Sequence, residues 1–150
     1  MCAIKYWMVK TNRITGGRTM KESLINRAIE SMKHAYAPYS NFPVGAALVT
    51  TEGTIYTGIN VENVAYGSSC CAERVAIFSA IKEGERDFAG IAVAARTKRP
   101  VPPCGACRQV MSEFFDEHMP IYLVSETRET FTFTMDELLP FSFSPIDLTD

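Results

Sequence analysis

A nearly continuous apolar run from Phe88 to Arg96 constrains the fold more than any other segment. A strand with apolar side chains on both faces has to be covered on both sides, unlike a strand with one face in water. The run therefore predicts a central strand with helices packed above and below it. The chain has 150 residues, of which 47% are hydrophobic, so it can bury such a core without a disulfide scaffold.

Hydrophobic periodicity places helices and strands around this central strand. In chain order the pattern predicts a helix over 20–36, a hairpin of strands over 44–51 and 54–58, a helix over 71–83, the central strand, a helix over 104–117, strands over 121–125 and 130–134, and a short helical turn over 135–139. The order α-β-β-α-β-α-β-β indicates a mixed sheet with helices on both sides.

Residues 1–19 differ from the rest of the chain. They contain four basic residues and no acidic one, and they lack hydrophobic periodicity. Lys5 interrupts the only candidate for the apolar core of a signal peptide. We therefore expect 1–19 to be an N-terminal extension, either disordered or upstream of a working start at Met20. Residues 20–150 are expected to form a single domain.

Charge and cysteine content exclude several classes of protein. The formal net charge is −2 and no face-sized cluster of Lys and Arg is present, which argues against a nucleic-acid partner. The apolar runs are too short to span a bilayer. Five cysteines do not suit a closed disulfide set, and a reducing cytoplasm is the simplest compartment for them.

Two cysteine motifs begin the two middle helices, Cys71-Ala72-Glu73-Arg74 and Pro103-Cys104-Gly105-Ala106-Cys107. A helix start favours thiolate, which is a zinc ligand. We expect Cys71, Cys104 and Cys107 to hold one Zn²⁺ per chain and to leave a fourth position for water, whose pKa zinc lowers to about 7. Glu73, two residues after a ligand, is then placed to carry protons without binding the metal.

Each motif taken alone has other interpretations. Cys-x-x-Cys also occurs as a redox pair, as half of a structural zinc site or as two buried thiols. His34 or His118 would complete a closed Cys₃His site, and Cys70 is a second candidate for the first ligand. The Cys-Ala-Glu step favours Cys71, and the presence of both motifs, one ahead of each helix, favours a hydrolytic zinc site.

At these motifs the sequence resembles the short zinc-dependent cytidine deaminases, which use three cysteines. The resemblance runs from about Ile25 to Leu148 and includes Pro38-Tyr39-Ser40, Phe42, Val44-Gly45-Ala46-Ala47, Gly58, Asn60-Val61-Glu62-Asn63, Tyr66-Gly67, both cysteine motifs through Gln109, and Leu138-Leu139-Pro140. It implies a three-layer α/β/α sandwich with a mixed five-stranded sheet. The implied activity is hydrolytic deamination of free cytidine and deoxycytidine to uridine and deoxyuridine with release of ammonia, by zinc-activated hydroxide and a glutamate proton shuttle. The implied role is pyrimidine salvage.

The resemblance also implies contacts to the substrate. Asn60 and Glu62 match the pair that hydrogen-bonds the ribose hydroxyls. Phe42 matches an aromatic residue that packs on the pyrimidine. Ala72 matches a position whose backbone meets the base edge, and Tyr66 lies near the sugar in the family.

The C-terminal tail is expected to complete a neighbouring site. Phe143 stands where the family sends an aromatic residue into the next subunit, which implies a homotetramer with composite active sites. Phe141 is an alternative for this role, because a small residue is more usual at its position. Within one subunit, Arg74 and Gln109 are expected beside the zinc thiolates, where such contacts tune the ligands.

Four other functions compete with this interpretation. A deaminase of a cytosine-containing antibiotic such as blasticidin S shares the zinc chemistry, but the Asn60, Glu62 and Asn63 motif argues against it. Cysteine at the first ligand position and the absence of a basic stripe argue against RNA or DNA deamination. A zinc-stabilised binding module and a thiol–disulfide oxidoreductase remain alternatives. The sequence does not rank cytidine against deoxycytidine.

Overall fold

The computed structural model describes residues 19–149. Its elements are α1 Met20–Met32, β1 Val44–Thr50, β2 Ile55–Ile59, α2 Ala72–Lys82, β3 Phe88–Ala95, α3 Gly105–Phe114, β4 Ile121–Val124, β5 Thr130–Phe133 and α4 Met135–Leu138, with 3₁₀ turns at Tyr66–Ser68 and Pro145–Leu148. Thr19 caps α1, because its hydroxyl accepts from the backbone N–H of Glu22. The rest of the extension predicted over 1–19 lies outside the described residues.

The five strands form one mixed sheet in the order β2-β1-β3-β4-β5. The β3–β4 pair is parallel and the other three pairs are antiparallel. The apolar run forms β3 at the centre, where Gly90–Ala95 are buried. The predicted mixed five-stranded sheet is therefore confirmed.

Helices cover both faces of the sheet. Leu24, Ile25 and Ala28 of α1 pack on one face, against residues that include Ala47 and Val49 of β1. The helices α2 and α3 lie on the other face, and their buried core residues are Ala72, Ala76, Ile77, Ala80 and Met111. This arrangement confirms the three-layer α/β/α sandwich. No helix within 19–149 is long and apolar enough to cross a membrane.

Two glycines allow helices to approach the sheet closely. A Cβ atom at Gly45 of β1 would lie 2.2 Å from the Ala28 carbonyl oxygen of α1. A Cβ atom at Gly58 of β2 would lie 2.1 Å from the Ala72 carbonyl oxygen and 2.5 Å from the Ala76 nitrogen, both in α2. Because backbone atoms cannot yield as a flexible side chain can, these contacts fix the seating of α1 and α2.

The first helix ends four residues earlier than its apolar pattern predicts, at Met32 instead of Tyr36. The backbone N–H of Tyr36 donates to the carbonyl of Asn60 at 3.0 Å, and the N–H of Glu62 donates to the carbonyl of Tyr36 at 2.9 Å. Tyr36 therefore pairs with the segment after β2 and leaves the helix. The 3₁₀ turn at Pro145–Leu148, capped by Ser144, lies beyond the last element that the sequence predicts, the helical turn over 135–139.

Candidate zinc centre and active site

The starts of α2 and α3 bring three cysteines together. Cys71 and Cys104 are the residues that immediately precede the two helices, and Cys107 lies buried in the first turn of α3. Their sulfur atoms lie within 4.8 Å of one another, and the Sγ atoms of Cys71 and Cys104 are 3.8 Å apart. Both helix N-termini thus point their positive dipole ends at one cluster of thiols.

The spacing of the cluster fits a zinc ion. Zn–S bonds of about 2.3 Å in a tetrahedral site place two sulfurs ~3.8 Å apart, which matches the Cys71–Cys104 separation. In the described part of the chain, His34, His118 and Cys70 do not belong to this group. The group thus contains Cys71 and not Cys70, and it offers three thiols without a histidine, which is the ligand count of an open site.

Glu73 lies in the first turn of α2, next to the cluster, and is only 4% exposed. Burial disfavours the charged carboxylate and raises the pKa of Glu73 to about 7. A carboxyl group with such a pKa can both take and give a proton near neutral pH, which is what a proton-transfer residue requires.

The thiols of Cys71 and Cys107 have pKa values shifted in opposite directions, and Arg74 lies beside Cys71. A hydrogen bond from the Cys107 thiol, assisted by Arg74, lowers the pKa of Cys71 to about 5. The same bond to Cys71 raises the pKa of Cys107. The Nη2 atom of Arg74 lies 3.8 Å from the Cys71 sulfur and donates to the Ser69 carbonyl at 3.2 Å. Arg74 is therefore in direct contact with one predicted ligand.

The two residues of the predicted sugar pair bind the loop before β1. The Asn60 side chain accepts from the Val44 N–H and donates to the Phe42 carbonyl, each at 2.9 Å. The Glu62 carboxylate accepts from the N–H groups of Tyr39 and Ser40 at 2.9 and 3.2 Å and from the Ser40 hydroxyl. Asn60, Glu62 and Phe42 thus form one connected unit.

The predicted aromatic contacts are open to solvent. Phe42 is 41% exposed and Tyr66 is 75% exposed, and the Tyr66 ring meets the edge of Tyr39 with centroids 6.1 Å apart. Ala72 is fully buried in the first turn of α2, directly after Cys71. In the tail, Phe143 is 61% exposed and Phe141 is completely exposed.

Comparison with known proteins identifies the family. The family model described as the cytidine and deoxycytidylate deaminase zinc-binding region matches residues 18–123. The chain belongs to the cytidine and deoxycytidylate deaminase family. The three-cysteine cluster therefore lies in a zinc-binding region, in agreement with the predicted Zn²⁺ cofactor.

Individual deaminases are similar to most of the chain. A cytidine deaminase of Halalkalibacterium halodurans is 48% identical over 130 residues, which cover 87% of this chain and 98% of that protein. A cytidine deaminase of Sporosarcina psychrophila is 49% identical over 85% of this chain and 94% of its own length. The crystal structure of a Burkholderia pseudomallei cytidine deaminase superposes with a TM-score of 0.81 at 46% identity, covering 83% of this chain and all of that one. The chain is thus an enzyme of the zinc-dependent cytidine deaminase type, which removes the thiol–disulfide oxidoreductase and the binding module as alternatives.

Two polar side chains of the deaminase's third helix have contacts that the sequence does not reveal. Arg108 donates from Nε to the Pro103 carbonyl and from Nη1 to the Leu138 carbonyl, each at 2.9 Å, so it ties the loop before Cys104 to α4. From the sequence, Arg108 is only a positive charge near the thiols. Gln109 donates to the Phe143 carbonyl at 2.9 Å and is exposed, so the contact found for it is with the tail.

Proposed function

We propose that this protein hydrolyses the exocyclic amine of free cytidine and deoxycytidine, giving uridine or deoxyuridine and ammonia. One observation carries the proposal: the sulfurs of Cys71, Cys104 and Cys107 converge beside the buried Glu73. The relatives named cytidine deaminase, at 48% and 49% identity over most of the chain, support the choice of substrate. Pyrimidine salvage is the role that follows from such a reaction.

The proposed chemistry divides between the metal and Glu73. When bound by the three cysteines, Zn²⁺ supplies the Lewis acid that activates water for attack at C4 of the pyrimidine. Glu73 accepts a proton from the attacking water and delivers it to N3 of the ring. A second transfer through Glu73 protonates the amine as the C4–N bond breaks. The two hydrogens of water thus end on the ring nitrogen and on ammonia.

Four side chains are proposed to hold the nucleoside, and a fifth residue is proposed to meet its base edge. Asn60 and Glu62 bind the sugar hydroxyls, Phe42 packs on the pyrimidine, and Tyr66 lies near the sugar. The backbone of Ala72 meets the edge of the base. The contacts that connect Asn60 and Glu62 to the Phe42 loop support this assignment, because they let one unit hold both sugar and ring.

Arg74 and Gln109 are proposed to support the zinc thiolates. For Arg74 the proposal rests on its 3.8 Å contact with the Cys71 sulfur, which offsets part of the charge of three thiolates. The Gln109 side chain donates to the Phe143 carbonyl. Its proposed effect on the thiolates is therefore indirect, through the position of the C-terminal tail. Because the ligands are free thiols, we propose a reducing compartment, the cytoplasm, as the place of the reaction.

We further propose a homotetramer in which Phe143 of one subunit enters the site of another. The support is the number of large apolar side chains exposed in a single chain, among them Val64, Tyr66, Phe141, Phe143, Ile146 and Leu148. Mixing subunits tests the composite site. If Phe143→Ala and Glu73→Gln proteins are each impaired, their co-assembly should regain activity, because an intact Glu73 then meets an intact Phe143. The same mixture made with Phe141→Ala distinguishes the two phenylalanines.

The first experiment follows the absorbance of cytidine with zinc-loaded protein. We expect turnover that chelation abolishes and that Glu73→Gln reduces by at least about a thousandfold without loss of zinc. Glu83→Gln, an exposed change at the other end of α2, is the matched control and should leave the rate unchanged. Full zinc loading with no turnover of either nucleoside would overturn the proposal, and turnover of blasticidin S instead would redirect it to an antibiotic substrate.

A further inference from the structure

The hydroxyl of Ser40 stands at the centre of the loop formed by residues 39–42. It donates to Oε1 of Glu62, and it accepts from the backbone N–H of Phe42 at 3.1 Å. The backbone N–H groups of Tyr39 and Ser40 donate to the other carboxylate oxygen, Oε2. One side chain therefore connects the position of the Glu62 carboxylate to the backbone position of Phe42.

The three hydrogen bonds from Tyr39 and Ser40 leave the Glu62 carboxylate able to accept a further hydrogen bond. An ionised carboxylate offers about four acceptor positions. Two of these, on Oε2, are used by the N–H groups of Tyr39 and Ser40, and one on Oε1 is used by the Ser40 hydroxyl. About one position on Oε1 remains for a ligand. The Ser40 hydroxyl also lowers the pKa of Glu62, so the carboxylate stays ionised and remains an acceptor only.

The remaining acceptor position lies on a residue that lines a cavity. The cavity has a volume of about 360 Å³ and is lined by Tyr39, Ser40, Glu62, Tyr66 and Ser69. Its walls include two aromatic rings and one carboxylate. Such a lining suits a sugar, because the rings can pack against the sugar and the carboxylate can accept a hydrogen bond from a hydroxyl. The orientation of the carboxylate then decides whether that hydroxyl finds its acceptor.

We propose that Ser40 is a positioning residue for sugar recognition, whose hydroxyl fixes the Glu62 carboxylate so that one acceptor position faces a sugar hydroxyl. The inference rests on the proposed nucleoside substrate. Ser40 touches neither the reacting atoms nor the metal in this role, because it acts through Glu62. Its loss therefore weakens binding of the sugar and leaves the chemical step at C4 intact.

The test compares Ser40→Ala with Ser40→Thr on two substrates. For cytidine, Ser40→Ala should raise KM roughly tenfold, as expected for a lost bond to a charged acceptor, and leave kcat within about twofold. Ser40→Thr keeps a hydroxyl and should stay within about twofold of the wild-type KM. For 2′,3′-dideoxycytidine, which lacks both hydroxyls, Ser40→Ala and wild type should have the same KM.

Control variants separate this role from general damage. Ser79→Ala removes a serine hydroxyl from α2, where it donates to the Val75 carbonyl at 2.7 Å, and should leave KM unchanged. An equal rise in KM for both substrates, a matching fall in kcat, or no change for cytidine would each overturn the role of Ser40. Failure of the wild-type protein to turn over any cytosine nucleoside overturns the proposed function itself, and the role of Ser40 with it.

Discussion

The contact between Gly58 and α2 makes a strong prediction about the zinc centre. In Gly58→Ala the new Cβ would lie 2.1 Å from the Ala72 carbonyl oxygen, whereas ordinary contact begins near 3.4 Å, so the start of α2 has to retreat by about 1 Å. Ala72 directly follows Cys71, whose sulfur atom lies 3.8 Å from the sulfur atom of Cys104. Since metal sites tolerate deviations of only about 0.2 Å, a shift of this size pulls the first ligand away from the other two.

The expected loss has two parts. Overpacking of this kind costs about 1–3 kcal/mol of stability, which corresponds to a fall in Tm of roughly 2–12 °C for a chain of this length. Displacement of Cys71 and Glu73 should lower zinc affinity roughly 10–100-fold and kcat at saturating zinc by about 100-fold. Zinc affinity is measured by chelator competition, kcat by cytidine absorbance and Tm by calorimetry.

Gly45→Ala is the matched control for this experiment. Its Cβ would lie 2.2 Å from the Ala28 carbonyl oxygen and 2.5 Å from the Met32 nitrogen, a collision of the same severity with α1 on the other face of the sheet. Because α1 carries none of the three cysteines, this variant should lose similar stability and keep its zinc affinity and kcat. Equal losses of kcat in both variants, or a Gly58→Ala protein with normal zinc affinity, would refute the reasoning.

Three further predictions concern the N-terminal extension, the Cys70 thiol and Arg108 of α3. Deleting residues 1–18 should preserve activity, whereas deleting 1–19 also removes the Thr19 cap and should cost about 1 kcal/mol, read from denaturant unfolding of the two truncated proteins. Cys70→Ser should keep the zinc content and kcat of the wild type, as measured by metal analysis and cytidine turnover, because Cys70 lies outside the thiol group; loss of zinc would contradict the assignment. Arg108→Ala removes two 2.9 Å bonds to backbone carbonyls and should cost about 1–3 kcal/mol, with a matching fall in Tm, and an unchanged Tm would show that water replaces those bonds.

Local sequence patterns predict most of the fold because they report which faces of each segment are apolar. The run that forms β3 requires cover on both sides, and the structure supplies it with α1 on one face and α2 and α3 on the other. The same reasoning extends α1 too far. The residues after Met32 keep a helical pattern, but Tyr36 pairs with the backbone of Asn60 and Glu62, a long-range contact that periodicity does not encode.

The three cysteines of the zinc cluster can be predicted from the sequence for a chemical reason. The hydrogen bonds that hold the surrounding loops in place cannot. A metal restricts the residue types and spacing of its ligands, so Cys71, Cys104 and Cys107 can be found from the sequence alone. Arg108 bonds a carbonyl 30 residues away, and Ser40 bonds a carboxylate 22 residues away. Such contacts depend on where the fold returns the chain, so the motifs that contain Ser40 and Arg108 do not show which group either side chain will bond.

The edge strand β2 connects the two halves of the proposed site. Gly58 within this strand fixes the start of α2 and hence Cys71, while Asn60 and Glu62 follow the strand directly and hold the 39–42 loop. In the proposed site, Asn60 and Glu62 stand two and four residues after Gly58, so a short stretch of chain, part of it strand, links the helix start beside Cys71 to the proposed sugar contacts. Because a strand resists changes of length, this arrangement favours a substrate of fixed length, a base joined to a sugar, over a free base that engages only one end.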